Sequence, residues 1–133
     1  MRFETAEEMQ AHNSMLILQH RCQTANSRWW LDPVTNAPID PATTPYLVPA
    51  KMMLIVSEIS EAMEGHRTNA MDGHCPTHSA VAVELADAVI RIFDLAGAMN
   101  LDLAGAFTEK MRYNATRADH THQRRLADGG KAY

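Results

Sequence analysis

Apolar residues recur at three- and four-residue intervals along most of the chain, with one long polar interruption. Met9, Met15, Leu16, Leu18 and Cys22 carry a loose helical period, and Thr5 followed three residues later by Glu8 has the form of a capping box, so a first helix is expected over 6–25. Between Ser27 and Pro49 the period is lost. Pro33, Pro38, Pro41, Pro45 and Pro49 stand there among Asn, Asp and Thr, too densely for a regular helix or a central strand, so a long loop containing Trp29 and Trp30 is expected. Met52, Ile55, Val56, Ile59 and Met63 restore the helical spacing, and Gly65 offers a stop, which places a second helix at 50–64. After a polar segment, Thr77 or Ser79 can cap an apolar run through Leu95, giving a third helix at 79–98. Asp102 can cap the run of Leu103, Phe107 and Met111, giving a fourth at 103–118. From about 119 to 133 the chain has no apolar period, and with Arg124, Arg125, Gly129, Gly130 and Lys131 it reads as a flexible basic tail. No strand pattern and no internal repeat are visible, so the expected fold is all-α, a four-helix bundle.

The length of 133 residues suits a single domain with a single core. A formal net charge of −4 provides no positive field for a nucleic acid, so any phosphate-bearing ligand needs local cations or a bound metal. The two cysteines, Cys22 and Cys75, form no CxxC pair, which argues against a disulfide framework or a zinc ribbon and fits a reducing cytoplasm. The acidic start lacks the basic-then-apolar order of a signal peptide, and no stretch approaches the ~18 apolar residues of a membrane span, so a soluble cytoplasmic protein is expected. The nine methionines lie mostly on the apolar stripes and read as core filling.

Two carboxylate pairs interrupt those stripes. Glu58 and Glu61 in the second helix, and Glu84 and Asp87 in the third, are each spaced i, i+3, which puts both acids of a pair on one helical face. The 22 residues between Glu61 and Glu84 leave room for an antiparallel return that aims all four at one point. Each such pair alone is usually a solvated face. Here Glu58 stands among Ile55, Val56 and Ile59, and Asp87 lies in an almost wholly apolar run, so the acids must face something. Clustered carboxylates repel unless neutralised, and an all-oxygen set suits Mg²⁺, with Mn²⁺ able to substitute. Arg91 and Asp94 extend the stripe, either as support for the site or as an intrahelical ion pair. In the fourth helix Lys110, Asn114 and Arg117 share a face at i, i+4 and i+7, offering two cations and an amide to a polyphosphate.

Together, ExxE, the 22-residue gap, ExxD, the KMxxNxxR helix and the Gly-Gly-Lys tail resemble the MazG-like all-α NTP pyrophosphatases, most closely the short phage and bacterial members, over Lys51 to Lys131. The resemblance implies an oligomeric bundle, dimer or tetramer, in which Glu58, Glu61, Glu84 and Asp87 ligate Mg²⁺ and Lys110, Asn114 and Arg117 contact phosphates. The implied reaction is hydrolysis of a (d)NTP to a (d)NMP and pyrophosphate, with Glu61, or Glu58, as the base. His20 and Trp29, spaced His-x8-Trp, resemble the base-contacting pair of dCTP-cleaving relatives, whereas the proline-rich loop between Trp30 and Lys51 is longer than theirs. Asn13, seven residues before His20 on one helical face, adds donors and acceptors, and Trp29 and Trp30 add stacking surface for a base. Hydrolysis of dGTP to dGMP in phage nucleotide metabolism, in the host cytoplasm, fits this pattern. So do dCTP, dUTP or a damaged nucleotide as substrate. A non-catalytic helical assembly or regulatory protein is the competing class. A phosphohydrolase releasing single phosphates usually recruits a His-Asp dipeptide, which does not occur in that order, and His74, Cys75 and His78 offer a zinc site only three neighbouring ligands.

Overall fold

The computed structural model describes residues 2–117. It is all-helical, with α1 (Ala6–Asn26), a single 3₁₀ turn (Ser27–Trp30), α2 (Leu47–Thr68), α3 (Ala80–Ala98) and α4 (Leu103–Thr116). Among the described residues the only extended pairings are two isolated bridges, Leu31 with Pro38 and Met71 with Ser79. Among the described residues no helix is long and apolar enough to cross a membrane. The tail expected from 119 onward, with its Gly-Gly-Lys, lies outside the described residues.

The chain divides into two compact units. Of the described residues, one unit takes those up to Met15 and Asp102–Arg117 from the two ends of the chain; the other is Leu16–Leu101. In the first, Thr5 Oγ1 accepts from the Glu8 N–H at 3.1 Å, which is half of the capping box. The Glu8 carboxylate departs from that motif: it accepts from the Glu4 N–H and pairs with Arg112 of α4, whose guanidinium also donates to the Arg2 carbonyl. The guanidinium holds the Glu8 carboxyl below the usual range. Asp102 caps α4 by accepting from Gly105 N–H at 2.8 Å, as the sequence predicts.

The second unit is organised by the α2–α3 hairpin. Gly65 lies against Ala80, Glu58 against Arg91, and Lys51 near Asp94, so the two helices run antiparallel. α2 is longer than its apolar period predicts at both ends. It starts at Leu47, because a proline in the first helical turn, here Pro49, forfeits no intrahelical bond. It passes through Gly65, which is buried: a Cβ there would stand 2.8 Å from Ala80 Cβ and 3.2 Å from Val81 N. Gly65 therefore sets a close helix approach, and the stop is Asn69, in the left-handed region at φ 49° with its N–H returned to Gly65 and His66 carbonyls. Ser79 caps α3, its Oγ accepting from Ala82 N–H at 3.3 Å. Buried Ala62, Ala88, Phe93, Leu95 and Ala96 form the core of this unit with Trp30.

Candidate metal centre and adjoining cleft

Glu84, Asp87, Arg91 and Asp94 repeat at three and four residues along α3, and the hairpin turns this polar stripe toward α2. Glu58 meets it from the other side. Glu58, Glu84 and Asp87 each offer a carboxylate oxygen, all three within 4.8 Å of one another. Glu58 is 6% exposed, and the other two are half-buried. Burial raises the Glu84 carboxyl above its ordinary value, and the neighbouring charges of Glu61, Glu58 and Asp87 push it the same way. Three hard oxygens at this spacing suit a divalent cation: ligands at about 2.0–2.1 Å from Mg²⁺ stand at most about 4.2 Å apart, close to the spacing seen here.

One cation of the chain already stands at the cluster. Arg91 Nε lies 2.6 Å from Glu58 Oε1, yet its N–H does not point along a hydrogen bond to that oxygen. The contact is an ion pair held by charge rather than by aligned donation. Of the four acids expected to converge, Glu61 does not join the three: it is exposed, one turn beyond Glu58, and acts on Glu84 through charge.

A cleft of about 430 Å³ opens beside the cluster and shares Asp87 and Arg91 with it. Trp29, Lys51, Asn26 and Asp94 complete its polar and aromatic lining. The two tryptophans have separate fates. Trp30 is 8% exposed and its indole N–H donates to Asp94 Oδ1 at 2.9 Å, which pins the loop to α3. Trp29 is 58% exposed on the cleft, with the Arg28 guanidinium 4.7 Å from its ring centre. Lys51 sits 4.6 Å from the Trp30 ring centre and donates to the Trp29 carbonyl at 3.3 Å. Asp94 is buried, which raises its carboxyl, while the Trp30 N–H, Lys51 and Arg91 oppose the rise.

The remaining expected site residues are distributed otherwise. His20 is exposed on α1 and does not line the cleft. Asn13 is exposed and belongs, with Lys110, Asn114 and Arg117, to the unit formed by the chain ends. There Lys110 and Arg117 both approach the Tyr113 ring, at 4.7 and 5.6 Å, and Asn114 Oδ1 is buried without a hydrogen-bond partner. Sequence reasoning gave no role to Lys51 or Asn26. Lys51 falls seven residues before Glu58, two turns along the same face of α2, and that spacing is the signal that could have found it. Comparison with known proteins adds no assignment: no protein-family model, curated protein or solved structure matches the chain.

Proposed function

We propose that this protein is a Mg²⁺-dependent nucleoside triphosphate pyrophosphohydrolase of the MazG-like, all-α type. One observation carries the reading: three carboxylates bring oxygens within 4.8 Å of one another beside a cleft that presents an exposed indole and two cations. Glu58, Glu84 and Asp87 would hold the metal. When bound, it supplies charge neutralisation and Lewis-acid polarisation of the triphosphate. Trp29 offers its ring to the base, and stacking there favours any base alike. Lys51 and Arg91 line the cleft with the positive charge that a polyphosphate requires on an acidic protein. Water attacks the α-phosphorus, the α–β anhydride bond breaks, and pyrophosphate leaves with the bonding pair. We assign Glu61 as the base that would take the proton of that water; its exposure and its absence from the three-acid group support the reading, because the role then removes no ligand.

The outer faces of the hairpin support assembly as a homo-oligomer. Met52, Val56, Ile59 and Met63 on α2, and Leu85, Val89 and Ile92 on α3, are exposed apolar residues at helical spacing, the kind of continuous stripe that a second copy covers. Light scattering at micromolar concentration should return a multiple of the chain mass; a monomer mass would remove this part of the reading. The activity itself is tested by incubating the protein with Mg²⁺ and each common NTP and dNTP and separating pyrophosphate from phosphate release. Pyrophosphate with the matching monophosphate is the expected product pair. Failure to cleave any nucleotide would favour the non-catalytic assembly role, for which the same exposed stripes speak.

A further inference from the structure

We infer that Arg91 is a built-in counter-cation that occupies the acidic centre when no divalent ion is bound and is displaced from Glu58 when one arrives. The inference rests on reading Glu58, Glu84 and Asp87 as a metal centre, and goes beyond it by assigning the site a second, internal occupant. Glu58 is the most deeply buried of the three acids, and a buried carboxylate without a positive partner is strongly disfavoured. Arg91 is the partner within ion-pair distance, at 2.6 Å. Its N–H is misaligned with the carboxylate oxygen, so the pair lacks the directional bond that would lock it. The Arg91 side chain is also 42% exposed and lines the cleft, so it has somewhere to go.

A divalent ion and the guanidinium compete for the same oxygens, because Glu58 Oε1 is committed to Arg91 and the remaining acids already repel one another. Metal entry then has two effects. It relieves the repulsion among the three carboxylates, and it turns a cation outward into the cleft, where an anionic ligand meets it. Arg91 is a positioning residue in the metal-free form and a candidate anion contact in the loaded one.

The test measures Mn²⁺ binding by the loss of the free-ion electron paramagnetic resonance signal, together with thermal melting, for the unaltered chain, Arg91→Gln, Arg91→Lys and Glu58→Gln. Removing the competitor should tighten Mn²⁺ binding by Arg91→Gln roughly fivefold, the scale of a partly exposed charge pair. The same variant should melt lower than the unaltered chain without metal and match it in saturating Mn²⁺. Arg91→Lys, which keeps the charge, should lie between them, and it serves as the competitor test if Arg91→Gln does not fold. Glu58→Gln should lose binding. Equal or weaker Mn²⁺ binding by both Arg91 variants, with binding still lost in Glu58→Gln, would overturn the role of Arg91 and leave the metal centre standing. No Mn²⁺ binding by the unaltered chain would overturn both.

Discussion

Glu58 and Asp94 are carboxylates of one helical hairpin, buried to nearly the same degree at 6% and 7% exposure, and they are kept there by different means. Asp94 accepts an aligned hydrogen bond from a neutral donor, the Trp30 indole, with Lys51 and Arg91 adding favourable charge. Glu58 shares its space with two further acids and one misaligned guanidinium. The first arrangement is complete as it stands and serves the fold, since it ties the proline-rich loop to α3. The second sets three acids against one guanidinium, an excess of negative charge that a divalent cation would offset, as the proposed metal centre requires. Burial alone does not separate the two roles; the partners do.

The strongest way to break this contrast is to neutralise one acid of the cluster. Glu84→Gln or Asp87→Asn should reduce turnover on the order of a hundredfold or more, as loss of a metal ligand does, while the protein stays folded. Without metal, Glu84→Gln should be at least as stable as the unaltered chain, because a raised, repelled carboxyl has been removed. Full turnover in either variant would sink the metal-centre reading.

On the Asp94 side the expected effect is on stability. Trp30→Ala removes a buried aromatic ring and should cost about 3–5 kcal/mol in denaturant unfolding. Trp30→Phe keeps most of the volume but leaves Asp94 without its N–H donor, for about 1–3 kcal/mol. Neither loss should be recovered by adding Mn²⁺, whereas a change in the cluster should be metal-dependent.

Trp29 sharpens the comparison within a single dipeptide. Trp29→Ala should raise KM for every accepted nucleotide alike, by roughly 5- to 150-fold if stacking is worth about 1–3 kcal/mol. Its stability should stay within about 0.5 kcal/mol of the unaltered chain. An unchanged KM with a lowered melting temperature would make Trp29 a second loop anchor.

The smallest expected effect is on pH dependence. The folded Glu84 carboxyl titrates above its ordinary 4.5, so it contributes stability that is present below that value and is lost as pH rises through the folded one. Mn²⁺ must displace the same proton, so its affinity should climb with pH across the window above 4.5, and Glu84→Gln should flatten that climb. Glu8 has the opposite sign. Arg112 lowers its folded carboxyl below 4.5, so its contribution is present above that value and fades as pH falls through the folded one. Proton release on metal titration, followed by calorimetry in buffers of different ionisation enthalpy, would check the Glu84 arm.

Much of this was legible in the chain. The helical period located all four helices, with the largest boundary errors in α2, where Pro49 and Gly65 read as breakers yet one sits in the tolerant first turn and the other packs against Ala80. The i, i+3 spacing identified the acids that share a face. It did not tell that Glu61 stands outside the convergence, because four acids on two faces allow more than one pairing across the hairpin. Nor did it divide Trp29 from Trp30, since adjacent residues of an irregular segment have no period to assign them a side.

The sequence by itself determined the all-helical character, the cap at Asp102, a choice of Thr77 or Ser79 for the cap of α3, and the polar stripe of Glu84, Asp87, Arg91 and Asp94, because these depend on spacing and local hydrogen bonding along one stretch of chain. Tertiary structure decided which members of each face meet. The close approach at Gly65 and Ala80 sets the register between α2 and α3, and that register brings Glu58 to Arg91, Glu84 and Asp87 while Asp94 meets Trp30. A helix fixes the direction of its own side chains, but the partner opposite each one is fixed only by how two helices slide past one another.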